Sequence, residues 1–139
     1  MFKKILLAYD GAEPSRKALE TVFELQPGLR PEIHVVSVGR LPEYAESQDE
    51  VDEAREKAEE FYRKRLDDAV RLAKERGVTV KAHMAFGKPS ERILAVAAEL
   101  AVDLIVVAVH AHHPLRRRIL GGTADKIVDS ADCSVLVVR

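Results

Sequence analysis

Cysteine is nearly missing from this chain, Cys133 being the only one among 139 residues. A lone thiol closes no internal disulfide and builds no multi-thiolate zinc site, and it suits a reducing compartment, with packing beside a strand as its expected role. Neither sign of charge is in excess, since 22 lysines and arginines face 23 aspartates and glutamates. The global charge therefore makes no case for a nucleic-acid or membrane partner, and any electrostatic function has to be local. Long apolar runs are missing as well, none approaching the roughly 20 residues that a membrane span needs. No charged-then-apolar leader opens the sequence, and a soluble cytoplasmic protein is expected. Catalytic signatures are equally scarce. There is no Gly-x-Ser-x-Gly elbow, no Cys/His pair adjacent in sequence and no Gly-x4-Gly-Lys-Ser/Thr loop. Neither a hydrolase elbow nor a P-loop motor is indicated, so binding is expected ahead of catalysis.

What is present is apolar substance for one core, 47% of the residues, in a chain whose length suits a single domain over residues 1–139. Apolar runs alternate with helical patterns. Ile5 to Tyr9 reads as a strand buried on both faces and ended by Asp10-Gly11, after which Pro14 suits the first turn of a helix carrying Ala18, Leu19, Val22, Phe23 and Leu25. Ile33 to Val38 is the second strand. Ser47 can cap a long helix that starts with Asp49 and Glu50, places Val51, Ala54, Ala58, Phe61, Tyr62, Leu66, Ala69 and Leu72 at helical steps, and stops at Gly77. Val78 to Met84 alternates with period two, as a strand at a sheet edge does. Gly87-Lys88-Pro89 opens a helix through Ile93, Leu94, Val96, Ala97 and Leu100, followed by the unbroken strand Leu104 to Val109, a short helix from Ala124 to Asp129 and a last strand from Ser134 to Val138.

Five strands interleaved with four helical segments predict parallel pairing through right-handed crossovers, hence a doubly wound, Rossmann-like α/β sheet sandwiched by helices. Ligands of such sheets lie beyond the carboxyl ends of the strands, where chain direction reverses across the sheet. That points to Asp10 and to the loop after Val109. The loop is chemically unusual. His110, His112, His113, Arg116, Arg117 and Arg118 crowd into nine residues, and Gly121-Gly122-Thr123 then leads into a helix. A glycine pair at a helix N-terminus lets an anion approach backbone N–H groups, the helix dipole favours it, and arginines add countercharge. Each feature also has a plainer reading. Asp10-Gly11 serves equally as a turn or a helix cap, the arginines as a solvated basic turn, and the glycines as a flexible helix entry. The histidines lack helical spacing and a neighbouring carboxylate, so no metal site is assigned, although a metal- or anion-sensing module is the reading they would support.

Ile5-Leu6-Leu7-Ala8-Tyr9-Asp10-Gly11, Asp103-Leu104-Ile105-Val106-Val107 and Cys133-Ser134-Val135-Leu136-Val137-Val138-Arg139 together resemble the universal stress protein family over essentially the whole chain, as does the order of elements. The resemblance implies a sheet of order 3-2-1-4-5 and a homodimer joined along the Ser134–Val138 strand. The family's nucleotide-binding branch carries Gly-x2-Gly-x9-Gly-Ser/Thr after its fourth strand. Here those positions hold Ala108, Ala111, Gly121 and Gly122. By the same resemblance Asp10 lies by the adenosine with Val38 facing adenine, Ala8 is counted among the binding residues, and Thr123, one place beyond the family's hydroxyl, is its nearby stand-in. Alanine resists positive φ and adds a Cβ where backbone should approach phosphate, and Gly122 offers no hydroxyl. The expected function is therefore a dimeric, regulatory stress-response protein with a degenerate nucleotide loop. The alternative is an ATP or AMP binder, with magnesium accompanying ATP and very slow hydrolysis, that uses Arg116 to Arg118 and Gly121-Gly122 for phosphates.

Overall fold

A computed structural model describes residues 2–41, 46–109 and 122–139. The chain runs β1 (Lys4–Ala8), α1 (Glu13–Leu29), β2 (Glu32–Gly39), α2 (Gln48–Glu75), β3 (Val80–Phe86), α3 (Pro89–Leu100), β4 (Leu104–Ala108), α4 (Gly122–Ser130) and β5 (Ser134–Val138). All four pairings are parallel and the sheet order is β3-β2-β1-β4-β5, as expected. The chain reverses direction across the sheet between β1 and β4, which brings the ends of these two strands together.

The apolar strands are buried on both faces because successive side chains enter different layers. Ile5, Leu7, Ile33, Val35, Leu104 and Val106 pack with Ala18, Leu19, Val22 and Phe23 of α1 and Leu66, Ala69 and Ala73 of α2. Leu6, Val36, Ile105 and Val107 pack instead with Ile93, Val96 and Ala97 of α3 and Ala124 and Ile127 of α4.

Beyond one-residue shifts, β3 runs on to Phe86, two residues past the expected Met84, and two element starts differ from expectation. β3 begins at Val80, not Val78, because the end of α2 uses the intervening residues: Gly77, at φ +72°, and Val78 donate to the carbonyls of Lys74 and Ala73. This is the six-to-one closure that a left-handed glycine permits. α4 begins at Gly122, two residues before the expected start.

α2 starts where expected, Ser47 accepting from Glu50 N at 3.2 Å while the Glu50 carboxylate accepts from Glu46 N at 2.9 Å. At about 1.5 Å per residue its 28 residues outrun any strand of the sheet. Its fully buried residues are confined to Leu66, Ala69 and Ala73, so the first half overhangs the carboxyl edge. Phe61, expected in the core, is 48% exposed there. Among the described residues no helix is long and apolar enough to cross a membrane.

Candidate functional site

β1 and β2 deliver Ala8, Asp10 and Val38 to the carboxyl edge, and β4 delivers Ala108. Asp10 does not cap α1, whose cap position is Ala12 and has no side-chain bond. It closes the turn before the helix: Oδ1 accepts from Ala12 N at 2.9 Å and from Ser15 Oγ at 2.8 Å. Its Oδ2 takes no hydrogen bond from a described residue, and the side chain is exposed. The strand end beneath is pinned, since Tyr9 N donates to Val36 O at 2.9 Å and the Ser37 hydroxyl donates to the Tyr9 carbonyl. A rigid base thus presents one carboxylate oxygen to solvent, an arrangement that can accept hydrogen bonds from a ligand's hydroxyl or amino groups.

Gly11 has φ +83°, a conformation that strains any residue with a Cβ. A Cβ there would also meet Arg65 of α2, 2.6 Å from its Cδ. Arg65 therefore lies across the turn, although the sequence reading did not single it out.

Ala8 and Val38 are half-buried and pack on the α3/α4 side of the sheet. The methyl of Ala108 packs on the α1/α2 side. The expected trio therefore shares an edge but not a face, because alternation along the strands turns Ala108 away from the other two. Gly122 is the exposed first residue of α4, with no described residue within 4 Å of where a Cβ would stand, and Thr123 is half-buried behind it. The first-turn N–H groups of α4, from Gly122 to Ala124, have no acceptor within the helix and are the natural donors for an anion. Ala111, Arg116, Arg117, Arg118, Gly121 and the three histidines His110, His112 and His113 lie outside the described residues. Among the described residues no group of three metal-ligating side chains occurs.

A polar chain missed in the sequence lies on the β2–β3 pair. His34, 3% exposed, sits among apolar strands. Its Nε2 is 3.0 Å from Glu32 Oε1, which also accepts from Lys81 Nζ at 3.0 Å, and its Nδ1 is 2.8 Å from His83 Nε2. With Glu32 accepting from His34 Nε2, Nδ1 is left as the acceptor and His83 donates. The ring centroids stand 5.0 Å apart, so the facing nitrogens lie between them and aim at each other. That geometry suits a shared proton better than two lone pairs converging on a metal. Burial, followed by the charges of His34 and Lys81, holds the His83 pKa below its usual 6.5. The unfolded chain then takes up this proton at a higher pH than the folded one, so stability falls as pH drops from the usual histidine range through the depressed folded value. Urea titration should give a lower midpoint at about pH 5.5 than at about pH 8. His83→Gln should flatten the difference, and an equal slope in that variant would remove His83 as its cause.

The amino edge of the sheet has a different character. An open recess of about 630 Å³ is lined by Phe2, Val102, Asp103, Asp132, Cys133 and Ser134. Backbone N–H groups of Lys3 and Lys4 hold Asp103 ionised, lowering its pKa. Burial first, then Asp103 and Asp132, raise that of Cys133. The two carboxylates repel phosphate, and the neutral thiol of Cys133 packs against the α3/α4 layer.

The family model described as the universal stress protein family matches residues 1–139. The universal stress protein YxiE of Bacillus subtilis is 32% identical over 153 residues, covering 100% of both chains. Among solved structures, that of the hypothetical protein MJ0577, reported as a structure-based assignment of biochemical function, superposes with a TM-score of 0.85 at 25% identity, covering 99% of this chain and 96% of the other. A universal stress protein in complex with cAMP superposes with a TM-score of 0.76 at 19% identity, covering 99% and 97%.

Proposed function

We infer the function of this chain from one premise, that it belongs to the universal stress protein family. It is a regulatory binding protein rather than an enzyme, with a site for an adenine nucleotide at the carboxyl edge whose phosphate grip is weakened. The observation that carries this is the contrast between the two halves of the edge. On the nucleoside side Asp10 stands on a fixed turn with a carboxylate oxygen turned to solvent. On the phosphate side Ala111 stands where the family's binding branch has glycine, and Gly122 opens α4 without a hydroxyl. A relative of the same fold is known in complex with cAMP, which supports an adenine nucleotide as the class of ligand to test. Asp10 would accept from the sugar or base, Ala8 and Val38 would form the apolar wall, and Arg116, Arg117, Gly121, Gly122 and Thr123 would meet the phosphates.

Thermal melting with ATP and magnesium, ADP, AMP or zinc tests this directly. A ligand at a hundred times its Kd adds about 2.7 kcal/mol, enough to raise the midpoint of a small domain by several degrees. Shifts are expected from the nucleotides only at high concentration. A response to zinc alone would favour a metal-sensing role for the histidine loop instead.

The working unit in this reading is a homodimer joined along β5. Val135, Leu136, Val137 and Val138 are half-buried on an edge strand, and an open apolar edge invites pairing with a second copy. Light scattering should give twice the monomer mass, and Val137→Pro, which removes a backbone donor on the open side of β5 because Val138 and Leu136 bond toward β4, should halve it. A wild-type monomer at micromolar concentration would rule this interface out.

A further inference from the structure

Most exposed cations of α2 are ion-paired along the helix, whereas Arg55, Lys74 and the half-buried Arg65 have no ion pair among the described residues, and Arg65 is the one of these three that covers Gly11 beside Asp10. Lys57, Arg63, Lys64 and Arg71 are each ion-paired to a carboxylate about one helical turn away, as on any solvated helix face. Arg65 has no such partner among the described residues. Its stem covers Gly11, its guanidinium carbon stands 3.4 Å from the centroid of the Phe61 ring, and Nη1 donates to the Phe61 carbonyl at 3.1 Å. That is its one hydrogen bond to a described residue, out of the five N–H donors a guanidinium carries.

The position of this cation matters as much as its lack of a partner. Gly11 follows Asp10 directly, so a positive charge lies across the turn that presents the Asp10 carboxylate. Alone, that carboxylate would repel a phosphate-bearing ligand; with Arg65 over the same turn the repulsion is offset locally. The stem is held by Gly11 and the head by the Phe61 ring, so little freedom remains to be lost when a ligand is gripped. Phe61 itself is exposed by the overhang of α2, which leaves the stack open to the carboxyl edge.

We propose that Arg65 is a specificity-determining residue of this site, its guanidinium taking a phosphate oxygen of a nucleotide whose sugar lies on Asp10. The assignment rests on the nucleotide reading above and adds a phosphate contact from outside the loop that follows β4. It makes the site selective for phosphorylated over unphosphorylated nucleosides even where the loop's own cradle is impaired.

Calorimetry of the full chain with adenosine, AMP and ATP, at low salt, tests it. Arg65→Gln should weaken AMP and ATP by about tenfold or more, the scale of a charge-assisted hydrogen bond, and adenosine by less than about twofold. Arg65→Lys keeps the charge and the stem but not the planar fork, and should fall between wild type and Arg65→Gln. Retention of AMP affinity in both variants would overturn the proposal, and so would equal losses for adenosine and AMP, which would make Arg65 a wall of the nucleoside pocket. Both outcomes leave the nucleotide reading standing. A wild-type chain that binds none of the three ligands would overturn that reading and the role of Arg65 with it.

Discussion

Replacing Ile105 by alanine is expected to cost roughly 2 to 5 kcal/mol, a large fraction of the 5 to 15 kcal/mol that stabilises a typical domain. Ile105 is 1% exposed and central in every direction. Within the sheet it is paired with Leu6 on β1 and Val135 on β5. Its side chain enters the layer that holds Leu6, Val36, Ile93 and Ile127 under α3 and α4, while its neighbours Leu104 and Val106 fill the opposite layer. Strands bonded on both sides cannot close in on the space left behind, so most of the cavity term survives. Chemical denaturation should show the loss as a shifted midpoint with an unchanged slope. Val135→Ala, on a half-buried edge strand, should cost clearly less, and a loss below about 1 kcal/mol at Ile105 would mean that β4 does not hold the centre of the core.

The centrality of β4 was legible in the sequence because a strand buried on both faces has to be apolar without interruption, and Leu104 to Val109 is. The same logic located β1, β2 and β5 to within a residue or two. Where two structures compete for one residue the pattern was less informative. Val78 looks like the first residue of an alternating strand, yet its N–H serves the end of α2, a use that periodicity does not register. Helical spacing likewise placed Phe61 in the core, because it reports which face of a helix is apolar and not whether the sheet extends far enough to cover it. The candidate site divides along similar lines. Asp10 was singled out because it stands at the carboxyl end of a strand beside the reversal of chain direction, where sheets of this kind hold ligands. Arg65 is 55 residues further along the chain and the His34–His83 contact spans 49; both depend on which strands and helices become neighbours. The register of β2 with β3, which sets Val36 opposite His83 beside His34, had no signature in either strand alone.

Charge, more than a fitted backbone cradle, is expected to set whatever affinity this site has for nucleotide. Replacing Arg116, Arg117 and Arg118 together by alanine should abolish the ATP response, since with Ala111 hindering close approach and Gly122 lacking a hydroxyl, the arginines supply most of the attraction in the loop. Wild-type affinity should accordingly fall steeply as salt rises, because exposed charges are screened over about 10 Å at 0.1 M ionic strength. The complementary change restores the family's chemistry, and the fold indicates which substitutions can do so. Among the described residues nothing stands within 4 Å of a Cβ at Gly122, so Gly122→Ser adds a hydroxyl at the start of α4 without a clash with any of them. Ala108 packs its methyl against the α1/α2 layer, so Ala108→Gly sacrifices packing for little gain, and the informative variant is Ala111→Gly with Gly122→Ser. Calorimetry on that double variant should show tighter ATP binding that is less sensitive to salt, the opposite of the arginine variant on both counts. Tight, salt-insensitive ATP binding by the unaltered chain that survives loss of all three arginines would show that the alanine-bearing loop forms a working cradle, and the weakened phosphate grip would have to be abandoned.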